Sequence, residues 1–489
     1  MRKSPADLSP RDFRKIGHDL VDRVADFLSE LPDKPVAPAL SPREMHALLG
    51  TTDRVPKKGE KASRITKHAA RLVLNNSTLN GHPRFFGYIT SSASPIGALA
   101  DMIAASANPN CGAWALSPIA SEIEKQTVRW IADLIRYPAE CGGLLVSGGN
   151  MANMVCLIAA VRAQADWDVR ALGVAGGNSL RIYASSEVHT WLQKGADICG
   201  LGTNAFRPVP VDDTLAMDLK ALERLIAEDR KAGHRPAIVI GTAGSVSTGA
   251  IDPLPQIAAL CKRENLWFHV DGAYGAPAAV LPDAPGALKA LSLADSVAVD
   301  PHKWLYAPIE AGCALVRDPE KLRGAFSFHP PYYRFEGDAE DPPTNFYEWG
   351  PQNSRGFRAL KVWMTIRQVG RDGYVRMIRD DIALAREMCD VASKEKELEV
   401  LTHSLSITTF RYVPAHLSRE AADHLAPLNA LNAAILEKLQ KDGRVYPSNA
   451  VISGRFAIRA CIVNFRTNSR DVKALVKATV AAGRALAAG

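Results

Sequence analysis

Two short apolar runs, each stopping on a reactive side chain, limit what this chain can fold into. Trp267-Phe-His-Val-Asp-Gly-Ala-Tyr274 reads as a buried strand ending at Asp271. Ser296-Val-Ala-Val-Asp-Pro-His-Lys-Trp304 reads as another, ending at His302 and Lys303. Further runs of this kind, Leu144–Val146, Arg181–Ala184, Ala237–Ile240 and Ala314–Arg317, alternate with helical stretches, the clearest at Met151–Arg162. Strands alternating with helices form a parallel sheet with crossover helices. Neighbouring strands of such a sheet deliver their last residues to one crevice at its carboxyl edge. The reading is an α/β fold in which Asp271 and Lys303 share a site.

Alone, each residue reads as something ordinary: a surface lysine behind a strand, or a capping aspartate. Together they supply an amine that forms a Schiff base and a carboxylate that holds a pyridinium nitrogen, the pair a pyridoxal phosphate enzyme needs. The carboxylate keeps that nitrogen protonated through a charge-assisted hydrogen bond, so the ring can accept electrons left on a substrate carbon. Ser147-Gly-Gly-Asn-Met-Ala152, between a strand and a helix, is a candidate phosphate cradle. Its glycines let backbone N–H groups approach an anion, and the helix start adds partial positive charge. By itself the turn is equally an ordinary tight connection, because it lacks the GxGxxG pattern. His302 is either a further phosphate contact or a satisfied strand-end histidine. His189, in Ser185-Ser-Glu-Val-His-Thr190, also follows a predicted strand. An imidazole there can stack on a cofactor ring and face a substrate carboxylate.

Composition narrows the classes. The 489 residues are 47% hydrophobic and 23% charged, which suits a globular chain of two or three domains with a large core. A formal charge of +7 is small for this size, and no Lys/Arg block forms a nucleic-acid stripe. No run approaches the roughly 18 apolar residues of a membrane span. Met1-Arg-Lys-Ser-Pro5 leads into a polar helix rather than a secretory apolar run. The cysteines (Cys111, Cys141, Cys156, Cys199, Cys261, Cys313, Cys389 and Cys461) are scattered, with no C-x-x-C pair, and point to a reducing cytoplasm. No metal-ligating set is expected. Residues 10–31 carry Ile16, Leu20, Val24, Phe27 and Leu28 at helical spacing behind Ser9-Pro10. That helix needs an apolar partner, in another subunit or in its own chain. The stretch 320–356 reads as an irregular loop, long enough that function is the expected reason for it. Beyond about residue 371, strands Ile407–Tyr412 and Phe456–Val463 between helices suggest a smaller α/β unit.

Several motifs in a fixed order carry a resemblance. They are His82-Pro-Arg-Phe-Phe-Gly-Tyr88, Trp114-Ala-Leu-Ser-Pro118, Glu122-Ile-Glu124, the Ser147–Ala152 turn, His189, His269-Val-Asp-Gly-Ala-Tyr274, Asp300-Pro-His-Lys-Trp304 and Phe357-Arg-Ala-Leu-Lys-Val-Trp363. With them the chain resembles the group II pyridoxal-phosphate-dependent amino-acid decarboxylases, and most of all their aromatic-L-amino-acid branch. The resemblance implies a fold-type I, aspartate-aminotransferase-like architecture in a cytoplasmic homodimer. An N-terminal helical segment (1–80) would pack on the partner. A large domain (81–370) would bind the cofactor on a mixed, mostly parallel sheet, and a small C-terminal α/β domain (371–489) would follow.

The resemblance also implies roles. Lys303 matches the cofactor-bearing lysine, Asp271 the pyridinium partner, Ala273 the residue beneath the ring and His189 the histidine above it. Gly149 and Asn150 fall in the phosphate turn, with His302 as a further contact. Tyr332, next to Tyr333, matches the mobile-loop tyrosine that returns a proton after carbon dioxide leaves. Tyr88, Ile89 and Trp114 match the substrate pocket, and Asn353 and Ser354 a stretch that reaches the neighbouring subunit's site. The implied reaction converts tryptophan, tyrosine, phenylalanine or a hydroxylated form to its amine and carbon dioxide. Aromatic acetaldehyde synthesis and histidine decarboxylation are the alternatives on this scaffold, and an aminotransferase would use Arg455 or Arg459 for the substrate carboxylate. Three positions depart from the pattern. Asp300 replaces an asparagine or serine beside the phosphate, so its carboxylate is expected to turn away or be held by a cation. Val246 replaces a threonine near the ring's oxygen face. Gly112 replaces a bulky aromatic, which would either enlarge the pocket enough for an indole or leave space that a neighbouring side chain fills.

Overall fold

Apolar strands between helices assemble into a seven-stranded sheet in a computed structural model that describes residues 4–328, 342–417, 419 and 422–488. The strands are β1 (Gly142–Val146), β2 (Leu180–Ser185), β3 (Phe206–Val209), β4 (Arg235–Thr242), β5 (Trp267–Asp271), β6 (Ser296–Val299) and β7 (Gly312–Val316). Their order across the sheet is β1-β7-β6-β5-β4-β2-β3. All neighbours are parallel except at β7, which runs antiparallel to both β1 and β6. The sheet is therefore mixed and mostly parallel.

Successive residues alternate between two apolar layers. Val239, Phe268, Val297 and Leu315 enter one core, while Ile182, Ile238, Ala298 and Val316 enter the other. Burial on both faces explains why these strands read as continuous apolar runs. The strand β3 escapes such a reading. It is a four-residue edge strand containing Pro208 and only partly buried, so it leaves no apolar run.

A second sheet of β8 (Leu398–Ser404), β9 (Ile407–Tyr412), β10 (Ser448–Ile452) and β11 (Arg455–Cys461) is antiparallel throughout, in the order β10-β11-β9-β8. The expected Phe456–Val463 strand starts and ends slightly earlier. Leu405, Ile407, Cys461 and Val463 join the first sheet's core, so the two sheets meet through apolar contact. The chain passes between them along the helix Ala359–Lys394, whose helical geometry breaks at Gly370 (φ 66°, ψ 166°).

The stretch 320–356 is not irregular throughout, as the sequence suggested. Pro319–Phe326 is a helix, started by Asp318, whose side chain accepts the Glu320 N–H at 3.0 Å. Residues 329–341 lie outside the described residues. The leading helix Pro10–Glu30 starts where expected, with Ser9 Oγ accepting the Asp12 N–H at 3.1 Å and proline in the first turn. It buries none of its side chains, and Phe13 and Val21 stay exposed. Among the described residues no helix is long and apolar enough to cross a membrane.

Candidate active site

Strands β5 and β6 are adjacent and parallel, with Asp271 paired to Ala298. Asp271 is thus the last residue of its strand, and Asp300 directly follows the end of the next. One tight turn later come His302 and Lys303. Asp271 and Lys303 line a single cavity of about 680 Å³. The ends of β1 and β4 and the segment after β2 open on the same cavity through Ser147, Thr242 and His189. This is the carboxyl-edge crevice that a parallel sheet provides.

Asp271 is buried and held from two sides. Trp191 Nε1 donates to its Oδ2 at 2.7 Å, and the Ala273 N–H to its Oδ1 at 3.2 Å. Behind it, His269 is locked between Asn153 Oδ1 and Ser296 Oγ, each 2.8 Å away, and burial pushes its pKa down to about 4. A neutral imidazole there leaves Asp271 as the charge the cavity feels from β5.

His189 accepts the Trp191 N–H at Nδ1 (3.1 Å), which places the proton of the neutral ring on Nε2. Burial lowers its pKa, and Lys303 lowers it further, against an opposing pull from Asp271. His302 is lowered as well, first by burial. Lys303 Nζ lies 3.0 Å from Asp300 Oδ2, so Asp300 is held by a cation.

The turn after β1 suits an anion. Gly148 adopts φ +119°, which side-chain-bearing residues rarely do. No side chain caps the helix Gly149–Gln164, which leaves its first N–H groups available beside the cavity.

The opposite wall comes partly from the second sheet, through Ser448, Asn449 and Arg459. Arg459 Nη1 donates to the Tyr88 carbonyl and to Ser448 Oγ, both at 3.0 Å. Its Nε and Nη2 are buried without a partner. Arg455 pairs with Glu399 at 3.2 Å and does not line the cavity.

Gly149, Asn150, His189, Asp271, Ala273, His302, Lys303, Tyr88 and Ile89 are thus brought together. Trp114, Asn353 and Ser354 are not. Trp114 donates from its N–H to Asn345 Oδ1 (3.0 Å) and from Nε1 to Glu122 Oε1 (2.9 Å), while Asn353 and Ser354 are exposed. Tyr332 and Tyr333 lie outside the described residues. Gly112 does not widen this cavity either, because a Cβ there would strike the Asn353 carbonyl. Val246 lines the cavity and offers no hydroxyl.

Known proteins resemble this chain along nearly its whole length. The pyridoxal-dependent decarboxylase conserved domain matches residues 42–413. The chain belongs to that family. The aromatic-L-amino-acid decarboxylase of Bacillus atrophaeus is 31% identical over 466 residues, covering 95% of this chain and 94% of that protein. A phenylacetaldehyde synthase from a Rosa hybrid cultivar is 28% identical, covering 95% and 92%. The solved structure of Oryza sativa TDC with PLP and tryptamine superposes with a TM-score of 0.90 at 26% identity, over 99% of this chain and 100% of that one.

Membership makes the chain a carboxy-lyase that uses pyridoxal phosphate, and the donors present fit that cofactor. Lys303 offers the amine, buried Asp271 the carboxylate, and the uncapped helix start an anion site. Among the described residues no group of three or more His, Cys, Asp or Glu is placed to hold a metal ion.

Proposed function

We propose that this chain decarboxylates an aromatic L-amino acid (tryptophan, tyrosine, phenylalanine or a hydroxylated form) to its amine and carbon dioxide. The observation that carries the reading is the convergence of Asp271 and Lys303, from the ends of adjacent parallel strands, on one cavity with His189. The aromatic preference rests on what the relatives are: an aromatic-L-amino-acid decarboxylase, and a rice protein solved with tryptamine.

Bound pyridoxal phosphate supplies an electron-accepting ring that weakens bonds at the substrate's α-carbon. The chain's residues do the rest. Lys303 Nζ would anchor the cofactor, and the helix start at Gly149–Asn150, with His302, would hold its phosphate. Each Asp271 oxygen already accepts one hydrogen bond and keeps lone pairs with which to hold the proton on the ring nitrogen. Ala273 and neutral His189, with Nε2–H as donor, would hold the cofactor between them. Arg459 lines the opposite wall and offers its positive charge to an anionic substrate group. A substrate held by its carboxylate in one orientation would be committed to losing that group rather than another. Tyr332 returns the proton to the α-carbon.

A second copy of the chain completes the assembly. The helix Pro10–Glu30 buries no side chain within its own chain, and Pro95–Ala107 exposes Leu99, Met102 and Ile103. Apolar faces of this kind mark association surfaces, and a homodimer covers them. Trp114, Asn353 and Ser354 then belong with the partner's cavity. A monomer mass by light scattering would sink this part. The eight free cysteines, five of them buried, fit a reducing cytoplasm.

The deciding experiment measures the absorption of bound cofactor alongside amine, aldehyde and peroxide release from each aromatic amino acid and histidine. Amine from an aromatic acid, abolished together with the absorption band in Lys303→Ala, supports the reading. Aldehyde with peroxide in place of amine makes the chain an acetaldehyde synthase, like its rose relative. In Tyr332→Phe the product should move from amine towards aldehyde, and an unchanged amine yield removes Tyr332 from the mechanism.

A further inference from the structure

The cavity holds an acid that the proposed reaction does not use. Asp300 is only 2% exposed, and its buried Oδ1 has no hydrogen-bond partner. Its Oδ2 lies 3.0 Å from Lys303 Nζ and 3.7 Å from His302 Nε2. That same oxygen would stand 2.6 Å from a Cβ at Gly149, so the carboxylate is pressed against the first residue of the uncapped helix. Lys303 Nζ leaves its pairing with Asp300 when it anchors the cofactor, but the imidazole and the helix start are donors that a phosphate in this turn requires. Asp300 occupies them with a negative charge of its own.

We propose that Asp300 is a resident anion of the phosphate cradle. It competes with the cofactor's phosphate for these donors, and the loaded cradle keeps one proton between the Asp300 carboxyl group and a phosphate oxygen. The inference rests on the pyridoxal phosphate reading given above. A phosphate monoester loses its second proton near about pH 6. A cradle made of donors alone therefore binds the cofactor more tightly as pH rises through that point. A cradle containing a carboxylate does the reverse, because the shared proton must come from solvent.

The titratable groups facing Asp300 are Lys303 and His302 on its own turn, His189 across the cavity and Cys313 on β7. The histidines also favour an anion when protonated. Asp300→Asn leaves their contribution in place and isolates that of the carboxylate.

The test uses full-length protein freed of cofactor and kept in a metal chelator. It is titrated with pyridoxal phosphate and, separately, with pyridoxal, following cofactor absorption and tryptophan quenching at about pH 6 and about pH 8. Free pyridoxal closes to an internal hemiacetal that pyridoxal phosphate cannot form, so the ratio of the two affinities is compared between wild type and Asp300→Asn at each pH, where the free ligands and the bond to Lys303 cancel. In the wild type this ratio should fall as pH rises. In Asp300→Asn it should be at least about tenfold larger at the higher pH and no longer fall. An equal or smaller ratio in the variant overturns the proposal, as does a tightening shared equally by pyridoxal. Should Asp300→Asn fail to fold, Asp300→Ser makes the same comparison, and a ratio no larger than in the wild type overturns the proposal. Failure of every protein to bind either compound would overturn the cofactor reading instead.

Discussion

Two sheets build the walls of one cavity, and they contribute different kinds of residue. The seven-stranded sheet supplies Asp271, Asp300, His302 and Lys303, all at strand ends and braced by buried partners such as Trp191. The four-stranded sheet supplies Ser448, Asn449 and Arg459, which enter from β10 and β11 across an apolar seam. The first wall carries the groups that make and break bonds. The second carries groups that can recognise a substrate but have no bond to make. If that division is right, damage to the first wall stops turnover, whereas damage to the second changes which substrate is held and how tightly.

The largest expected effect lies on the first wall. Lys303→Ala should lower amine formation on the order of a thousandfold or more and abolish the absorption of bound cofactor. Asp271→Asn keeps the size and the Trp191 contact but removes the charge. It should cost roughly a hundredfold or more in kcat while cofactor remains bound, as expected for a lost electrostatic stabiliser in a buried site. Amine release from that variant within a few-fold of wild type would mean that the carboxylate does not face the ring nitrogen.

The same division decides what was legible in the sequence. Asp271 and Lys303 could be read because each ends a buried apolar run, and parallel topology forces such ends together. Their bracing could not. Trp191 is two residues from His189 and gave a local signal that was available, but its bond to Asp271 spans 80 residues of chain. Arg459 left an ambiguous trace, a strand arginine with no way to know which sheet edge it met. The strand β10, with alternate residues exposed and Ser448 and Asn449 at its start, makes no apolar run at all. Gly112 left two outcomes open. A missing side chain suggested space, but the backbone of Asn353 fills it.

On the second wall, Arg459→Met retains much of the side chain's bulk and removes the charge. Burial lowers the pKa of this guanidinium, which lines the cavity, so an anion held against it gains a charge-assisted contact. The variant should raise KM about tenfold, with a smaller change in kcat and unaltered cofactor absorption. A fall in kcat matching that of Asp271→Asn, at unchanged KM, would erase the distinction between the two walls.

The smallest effect concerns the seam that keeps the walls in register. Asp381, on the segment of the long helix beyond Gly370, accepts hydrogen bonds from Trp304 Nε1 at 2.8 Å and from the Tyr306 hydroxyl at 2.5 Å. It therefore ties the turn that presents Lys303 to the helix leading into the second sheet. Burial pushes its pKa from 3.8 up to about 7, against the lowering effect of those two donors. Between these values the folded chain holds a proton that the unfolded chain has released. Stability must therefore fall as pH rises through this window and level off above about pH 7. Asp381→Asn is neutral at every pH and lacks this term. Between about pH 5 and about pH 8, the melting temperature of the wild type should drop a few degrees more than that of the variant. Parallel melting curves would show that the carboxylate is charged across the whole range, and that the seam is held by an ion rather than by a shared proton.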